Sequence, residues 1–128
     1  MLTKRNPKGV PQPASKYAQM VEGGGNLRWL HVSGQIGVTA EGTVLDGFEA
    51  QCEQTFRNII TCLEAAGMGI EDLVKITVLM TRQSDVPAYR GIRDRMLNGI
   101  ETASTLMVVA GLASPAFLIE IEAVAAKG

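Results

Sequence analysis

Ser104-Thr-Leu-Met-Val-Val-Ala-Gly-Leu112 and Phe117-Leu-Ile-Glu-Ile-Glu-Ala-Val124 are the two stretches whose reading decides how this chain folds. The first is apolar at every position from Leu106 to Ala110, which predicts a strand covered on both faces. The second alternates: Phe117, Ile119 and Ile121 are interleaved with Glu120 and Glu122, so the two acids share one face of a sheet. Two residues along a strand rise by roughly 6.6–6.8 Å. The carboxylates therefore stand side by side without fusing into one proton-sharing pair.

Working outward, Leu73 to Met80 is rich in β-branched residues and predicts a central strand. Asp46, with Glu49 three residues on, predicts the N-cap and capping box of a long helix. Cys52, Phe56, Ile59, Ile60 and Leu63 form its inward stripe, and Gly67 is the expected residue just past its end. A second helix is expected to start at Ser84-Asp85 with Pro87 in its first turn, and Asn98-Gly99 stops it. Its apolar stripe is Tyr89, Ile92 and Met96, with Arg90, Arg93 and Arg95 elsewhere around the helix.

Pro7, Gly9, Pro11 and Pro13 predict an irregular lead-in over the first sixteen residues. Tyr17 to Val21 and Leu27 to Ser33 bracket Glu22-Gly-Gly-Gly-Asn26, which reads as a hairpin connection. These glycines are no phosphate cradle, because a strand follows where a helix N-terminus is needed. The resulting class is α+β: a mixed sheet with both helices on one face, its other face left for a partner to cover.

At 128 residues the chain fits one domain, 1–128. Its apolar fraction of 46% is largely aliphatic, more than a monomer of this size needs, and subunit contacts are the expected place for the excess. Such self-complementary patches commonly close by symmetry. Twelve basic and thirteen acidic side chains leave a net charge of −1, so there is no basic stripe or aromatic platform for nucleic acid. There is no apolar run of about 18 residues and no apolar signal segment in Met1-Leu-Thr-Lys-Arg-Asn-Pro. A soluble, cytoplasmic protein without a membrane partner is the expectation. Cys52 and Cys62 lie on one predicted helix, about 15 Å apart along its axis, beyond disulfide reach. They are expected to be free core thiols.

Read with Ser33-Gly-Gln-Ile36 and Gly42-Thr-Val44, the two C-terminal stretches resemble the RidA (YjgF-type) family of small trimeric proteins that hydrolyse reactive enamines and imines. The resemblance runs from Asn6-Pro-Lys-Gly-Val-Pro11 through Tyr17 and the helix ending Ala65-Ala-Gly67 to Ile119-Glu-Ile-Glu122. It implies a chorismate-mutase-like fold and a homotrimer with small-molecule clefts between neighbouring subunits. It also implies a catalytic Glu120 that orients a water for addition to an imine carbon. Tyr17, Ser33, Gly34, Ser104 and Thr105 match the positions that line the cleft or form its ligand-binding end.

The sequence departs from the pattern at one decisive position. Ser104 stands where the deaminase members carry an arginine that binds the substrate carboxylate; Leu106 and Val86 likewise replace a common cysteine and asparagine. A hydrogen bond to a charged group contributes about 1.5–3 kcal/mol, and a hydroxyl lacks the two-pronged geometry of a guanidinium. Carboxylate substrates are accordingly expected to bind poorly unless Arg28, Arg82, Arg90 or Arg93 reaches the same cleft. His31 is the only histidine, and it makes neither a nucleophilic triad nor a metal site. No metal and no cofactor is expected. The reading is a RidA-like hydrolytic deaminase; its rivals are a non-catalytic small-ligand binder and a partner-binding, chaperone-like protein.

Overall fold

The computed structural model describes residues 2–10 and 12–128, so Pro11 of the expected lead-in lies outside the described residues. The β-branched run becomes strand β4 (Leu73–Met80), and the alternating acid stretch becomes β6 (Ile119–Lys127). Together with β3 (Arg28–Ile36) and β5 (Ala103–Val108) they form a four-stranded sheet in the order β3-β6-β4-β5. β4 and β5 run parallel and the other pairs antiparallel, so the sheet is mixed, as expected.

Alternation in β6 divides the molecule. Ile119, Ile121, Ala123 and Ala125 are buried beneath the helices α1 (Phe48–Ala65) and α2 (Val86–Met96), while Glu120 and Glu122 lie on the opposite face. β4 does the same: Ile76, Val78 and Met80 join the core with Phe56, Ile59, Leu63 and Tyr89. Both helices cover one face, the chorismate-mutase-like α+β arrangement that the resemblance implies.

Local expectations fare unevenly. Gly67 (φ 71°) ends α1 as predicted: its N–H donates to the Glu64 carbonyl at 2.9 Å, and that of Met68 donates to the Leu63 carbonyl at 2.9 Å. The start of α1 differs. The N-cap is Gly47, at φ 85° and ψ 157°, and no side chain caps the helix. The chain enters α1 through a backbone conformation that aspartate does not tolerate, so Asp46 stays one residue outside. In α2, Asp85 is the N-cap but its carboxylate accepts from Arg82 Nε at 2.8 Å instead of capping backbone.

Three further expectations are corrected. The lead-in contains a strand, β1 (Leu2–Arg5), which pairs antiparallel with β2 (Met20–Gly23). The hairpin across Glu22–Asn26 therefore does not form; β3 pairs with β6, whose nine residues offer a long partner with a buried apolar face, which the short, largely exposed β2 lacks. Finally, β5 is an edge strand, and its Met107 and Val108 are 46% and 47% exposed, so the apolar run is not covered on both faces within one chain.

One buried polar side chain in α1 ties the core to its loops. Gln51 Nε2 donates to the carbonyls of Leu45 (3.0 Å) and Ala116 (2.8 Å), and its Oε1 accepts from the Leu118 N–H at 2.9 Å. Its position, facing inward beside Cys52, fixes the approach of the chain to β6.

Candidate functional site

Between Val32 and Gln35, β3 carries two residues opposite the single Glu122 of β6. This is a β-bulge, and Ser33-Gly34 forms it. Glu120, two residues from Glu122 on the same face, folds against it: a Cβ on Gly34 would fall 1.9 Å from Glu120 Oε2 and 2.7 Å from its Cδ. The glycine's missing side chain is the space in which the half-buried carboxylate sits.

The same open face holds a cavity of about 270 Å³ lined by His31, Ser33, Lys75, Thr77 and Glu122. Lys75 Nζ donates to Thr105 Oγ1 at 2.8 Å. Thr105 pairs with Thr77 in register and faces this side, whereas Ser104 pairs with Ile76 and faces the helices. The two neighbouring hydroxyls, expected at one ligand-binding end, thus serve opposite faces of the sheet.

Ser104 opens instead into a smaller cavity of about 180 Å³ at the edge of the sheet, shared with Tyr17, Tyr89, Arg90, Arg93 and Leu106. Tyr17 reaches it because the Ala18 N–H donates to the Thr102 carbonyl at 2.9 Å, pinning this segment alongside the start of β5. Arg93 is the surprise. Its side chain is only 5% exposed; Nε and Nη2 both donate to Asp94 Oδ1, at 3.0 and 2.8 Å. Its guanidinium carbon lies 5.7 Å from the centroid of the Tyr89 ring, which itself stacks on Phe56 at 6.0 Å.

Tyr89 is 1% exposed, and its hydroxyl has no hydrogen bond of good geometry among the described residues, with the Ser104 and Arg93 side chains as its nearest polar company. Burial pushes its phenol well above the ordinary tyrosine range, an effect that the Arg93 charge opposes. Cys52 is fully buried and its thiol is pushed up to about 12, chiefly by desolvation, with the Glu53 charge adding to it. Both cysteines are free, as expected, but only Cys52 is in the core; Cys62 is half-buried at its margin. His31 is exposed on β3, and no cluster of metal-ligating side chains occurs among the described residues.

The structure therefore gathers the candidate residues into separate groups. Tyr17 and Ser104 share the edge cavity, Gly34 and Glu120 touch on the open face, and Ser33 lines the open-face cavity beside Glu122. Within one chain, Glu120 and Ser104 are on opposite faces of the sheet. Sequence reading missed the inward turn of Arg93, yet a signal existed: it lies four residues after the inward Tyr89, the spacing of one helix face.

The family model described as Endoribonuclease L-PSP matches residues 8–127. A RutC family protein of Pyrococcus horikoshii is 30% identical over 122 residues, covering 94% of this chain and 94% of that protein. A 2-iminobutanoate/2-iminopropanoate deaminase of Dermatophagoides farinae is 29% identical over 117 residues, covering 90% of this chain and 88% of the other. Among solved structures, YyfB of Yersinia pestis, a Rid-family protein of unknown function, superposes with a TM-score of 0.87 at 27% identity and 97% coverage of both chains.

Proposed function

This chain belongs to the endoribonuclease L-PSP family, that of the RidA (YjgF-type) proteins, and from that premise we propose that it hydrolyses the reactive enamine or imine form of a small metabolite. The observation that carries the reading is Glu120, an acid seated by the Gly34 bulge on the sheet face opposite the two helices. The deaminase name of the Dermatophagoides farinae relative supports the reaction class.

In the proposed reaction the Glu120 carboxylate accepts a hydrogen bond from a water and takes its proton as the water oxygen adds to the imine carbon. That proton passes to the nitrogen to give the carbinolamine, whose hydroxyl then gives up its own proton to the same nitrogen as the C–N bond breaks, so that ammonia leaves and the carbonyl forms. An enamine enters the same route after protonation at carbon.

The acid and the Tyr17–Ser104 cavity come together in this reading only between neighbouring copies of the chain. The proposed assembly is a homotrimer of one-domain chains, with the exposed Trp29, Met107 and Val108 in its contacts. The proposed location is the cytoplasm; no helix among the described residues is long and apolar enough to cross a membrane.

Ammonia release from freshly generated amino-acid imines tests the reading. The protein should exceed a no-protein blank, and Glu120→Gln should return the rate to that blank. A second reading, ligand binding without catalysis, is favoured by Ser104 in place of arginine; saturable binding with no ammonia release would select it.

A further inference from the structure

We infer that Asn58, on α1 and across the sheet from the acid, is a positioning residue for Glu120: its side-chain amide, oriented by Gln54, holds the end of β3 in the register that sets Gly34 against the carboxylate. The seat of the acid depends on that register. β3 follows β6 as far as Val32, passes through the Ser33-Gly34 bulge, and then pairs only as Gln35 with Ile121 and Ile36 with Glu120. A bulge faces its target only while the strand beyond it keeps its place. A one-residue slip there would put Ser33 or Gln35, each with a Cβ, where the glycine now stands. Two residue pairs are a short anchor, and β3 is an edge strand of the sheet. β6 is held from elsewhere: β4 flanks it, with Leu79 opposite Glu120, and Gln51 Oε1 accepts from the Leu118 N–H at 2.9 Å. The strand whose register needs support is therefore β3.

Asn58 supplies that support. Its Nδ2 donates to the carbonyls of Ile36 at 3.1 Å and of Val38 at 3.0 Å. These residues flank Gly37 in the γ-turn that ends β3, where the Val38 N–H donates to the Ile36 carbonyl at 2.8 Å. Gln54 Nε2 donates to Asn58 Oδ1 at 2.8 Å, which fixes the way the amide faces and turns its N–H groups to the strand end. Gly37 lets the helix come this close: a Cβ there would lie 2.4 Å from Gln51 Cβ and 2.5 Å from its Cα. Gln51, Gln54 and Asn58 follow one another at the spacing of one helix face. Since Ile36 is the residue of β3 paired with Glu120, the Asn58 amide grips the acid's own strand partner.

This inference deepens the deaminase reading. Its consequence for ammonia release rests on that reading, whereas the placement of the carboxylate does not, so the two are measured separately.

The test is NMR of the side-chain carboxyl carbons in the intact protein, beside ammonia release. Asn58→Ala should move the Glu120 resonance, as Gly34→Ala does, and leave in place that of Glu71, which lies just ahead of β4 at the other end of the sheet. Its kcat should fall about ten- to a hundredfold, the effect of a reacting group displaced from a distance, with KM little changed. Combining Asn58→Ala with Gly34→Ala should cost hardly more than the worse of the two alone, because both act through one carboxylate. A merely structural role predicts instead that the losses multiply and that the Glu120 resonance of the folded variant stays where it was; either result would overturn the inference. Should Asn58→Ala not fold, Gln54→Ala, which removes only the bond that orients the amide, decides, and an unmoved Glu120 resonance overturns it. A moved resonance in a protein that releases no ammonia would leave the positioning role standing and remove the deaminase reading. Ammonia release with the resonance unmoved would do the opposite.

Discussion

Glu120 lies in the space that a side chain on residue 34 would occupy, with Oε2 only 1.9 Å from where that Cβ would stand. The carboxylate's position is thus set by the absence of an atom on the facing strand. Gly34 has no positive φ, so its backbone would accept alanine, and the nearest atoms that the new methyl group would meet are all of Glu120.

Gly34→Ala should therefore act on chemistry rather than on folding. Because Cγ, Cδ and Oε2 of Glu120 all come within 3.0 Å of the new methyl group, the whole side chain must swing away. Ammonia release should fall at least about tenfold, the low end of what a misplaced base forfeits, while the thermal midpoint moves little. A variant of unchanged activity would show that the acid does not need its present seat.

Gln51→Ala should damage stability instead. It strands two carbonyls and one N–H that Gln51 now satisfies in and around the core. A buried polar group left without a partner costs about 1–3 kcal/mol, so a loss of about 2–4 kcal/mol is expected from urea unfolding. A change under about 0.5 kcal/mol, the level of an ordinary surface substitution, would mean that water replaces the side chain without loss.

Alkaline pH should destabilise the fold from about pH 9. Cys52 ionises near its ordinary value of 9.0 when unfolded and at about 12 when folded. A group whose folded pKa is raised stabilises the native state fully below the unfolded value, and that contribution drains away as pH rises from about 9 towards 12. Tyr89, also raised from 10.0 by burial, adds a second loss above its own ordinary value. Unfolding free energies measured from pH 8 to 11 should fall, and Cys52→Ala should flatten the lower part of that slope whatever its effect at neutral pH. An equal slope in the variant would assign the loss to other groups.

How far the chain could be read depended on whether a signal was local. Leu73–Met80 carried its strand in its own composition, and the alternation of Ile119, Glu120, Ile121 and Glu122 marked both faces of β6. Gly67 likewise ended its helix by a property of one residue. The pairing of β3 with β6 could not be seen in the same way, because the partner lies some ninety positions downstream and the glycine-rich turn offered a nearer one. At the site, Tyr17, Gly34, Ser104 and Glu120 were found through a resemblance, but their division between two sheet faces follows from register, which only the fold supplies. Arg93 was misjudged because charge was read as exposure; its burial depends on Asp94 beside it and the Tyr89 ring against it.

The exposed apolar side chains predict the behaviour of the assembly. Met107 is 46% exposed and shares the open face with Leu79 and Glu120 through its register with β4. In the proposed homotrimer, Met107→Glu should lower the sedimentation mass from three chains to one and abolish the proposed ammonia release together. Retention of the trimer would place its contacts elsewhere.

The central claim, a hydrolytic site completed between copies, is tested most directly by mixing two inactive variants. Glu120→Gln lacks the base, and Tyr17→Ala lacks the wall of the edge cavity; each alone should release ammonia at the blank rate. When the two are unfolded together in equal amounts and refolded, an intact site needs the acid from one chain and the cavity from another. Half of each position is filled correctly, so about one interface in four is complete in a randomly mixed symmetric ring. Recovery of about a quarter of the unmodified activity is the predicted result. A mixture as inactive as either parent, with trimers present, would contradict the account.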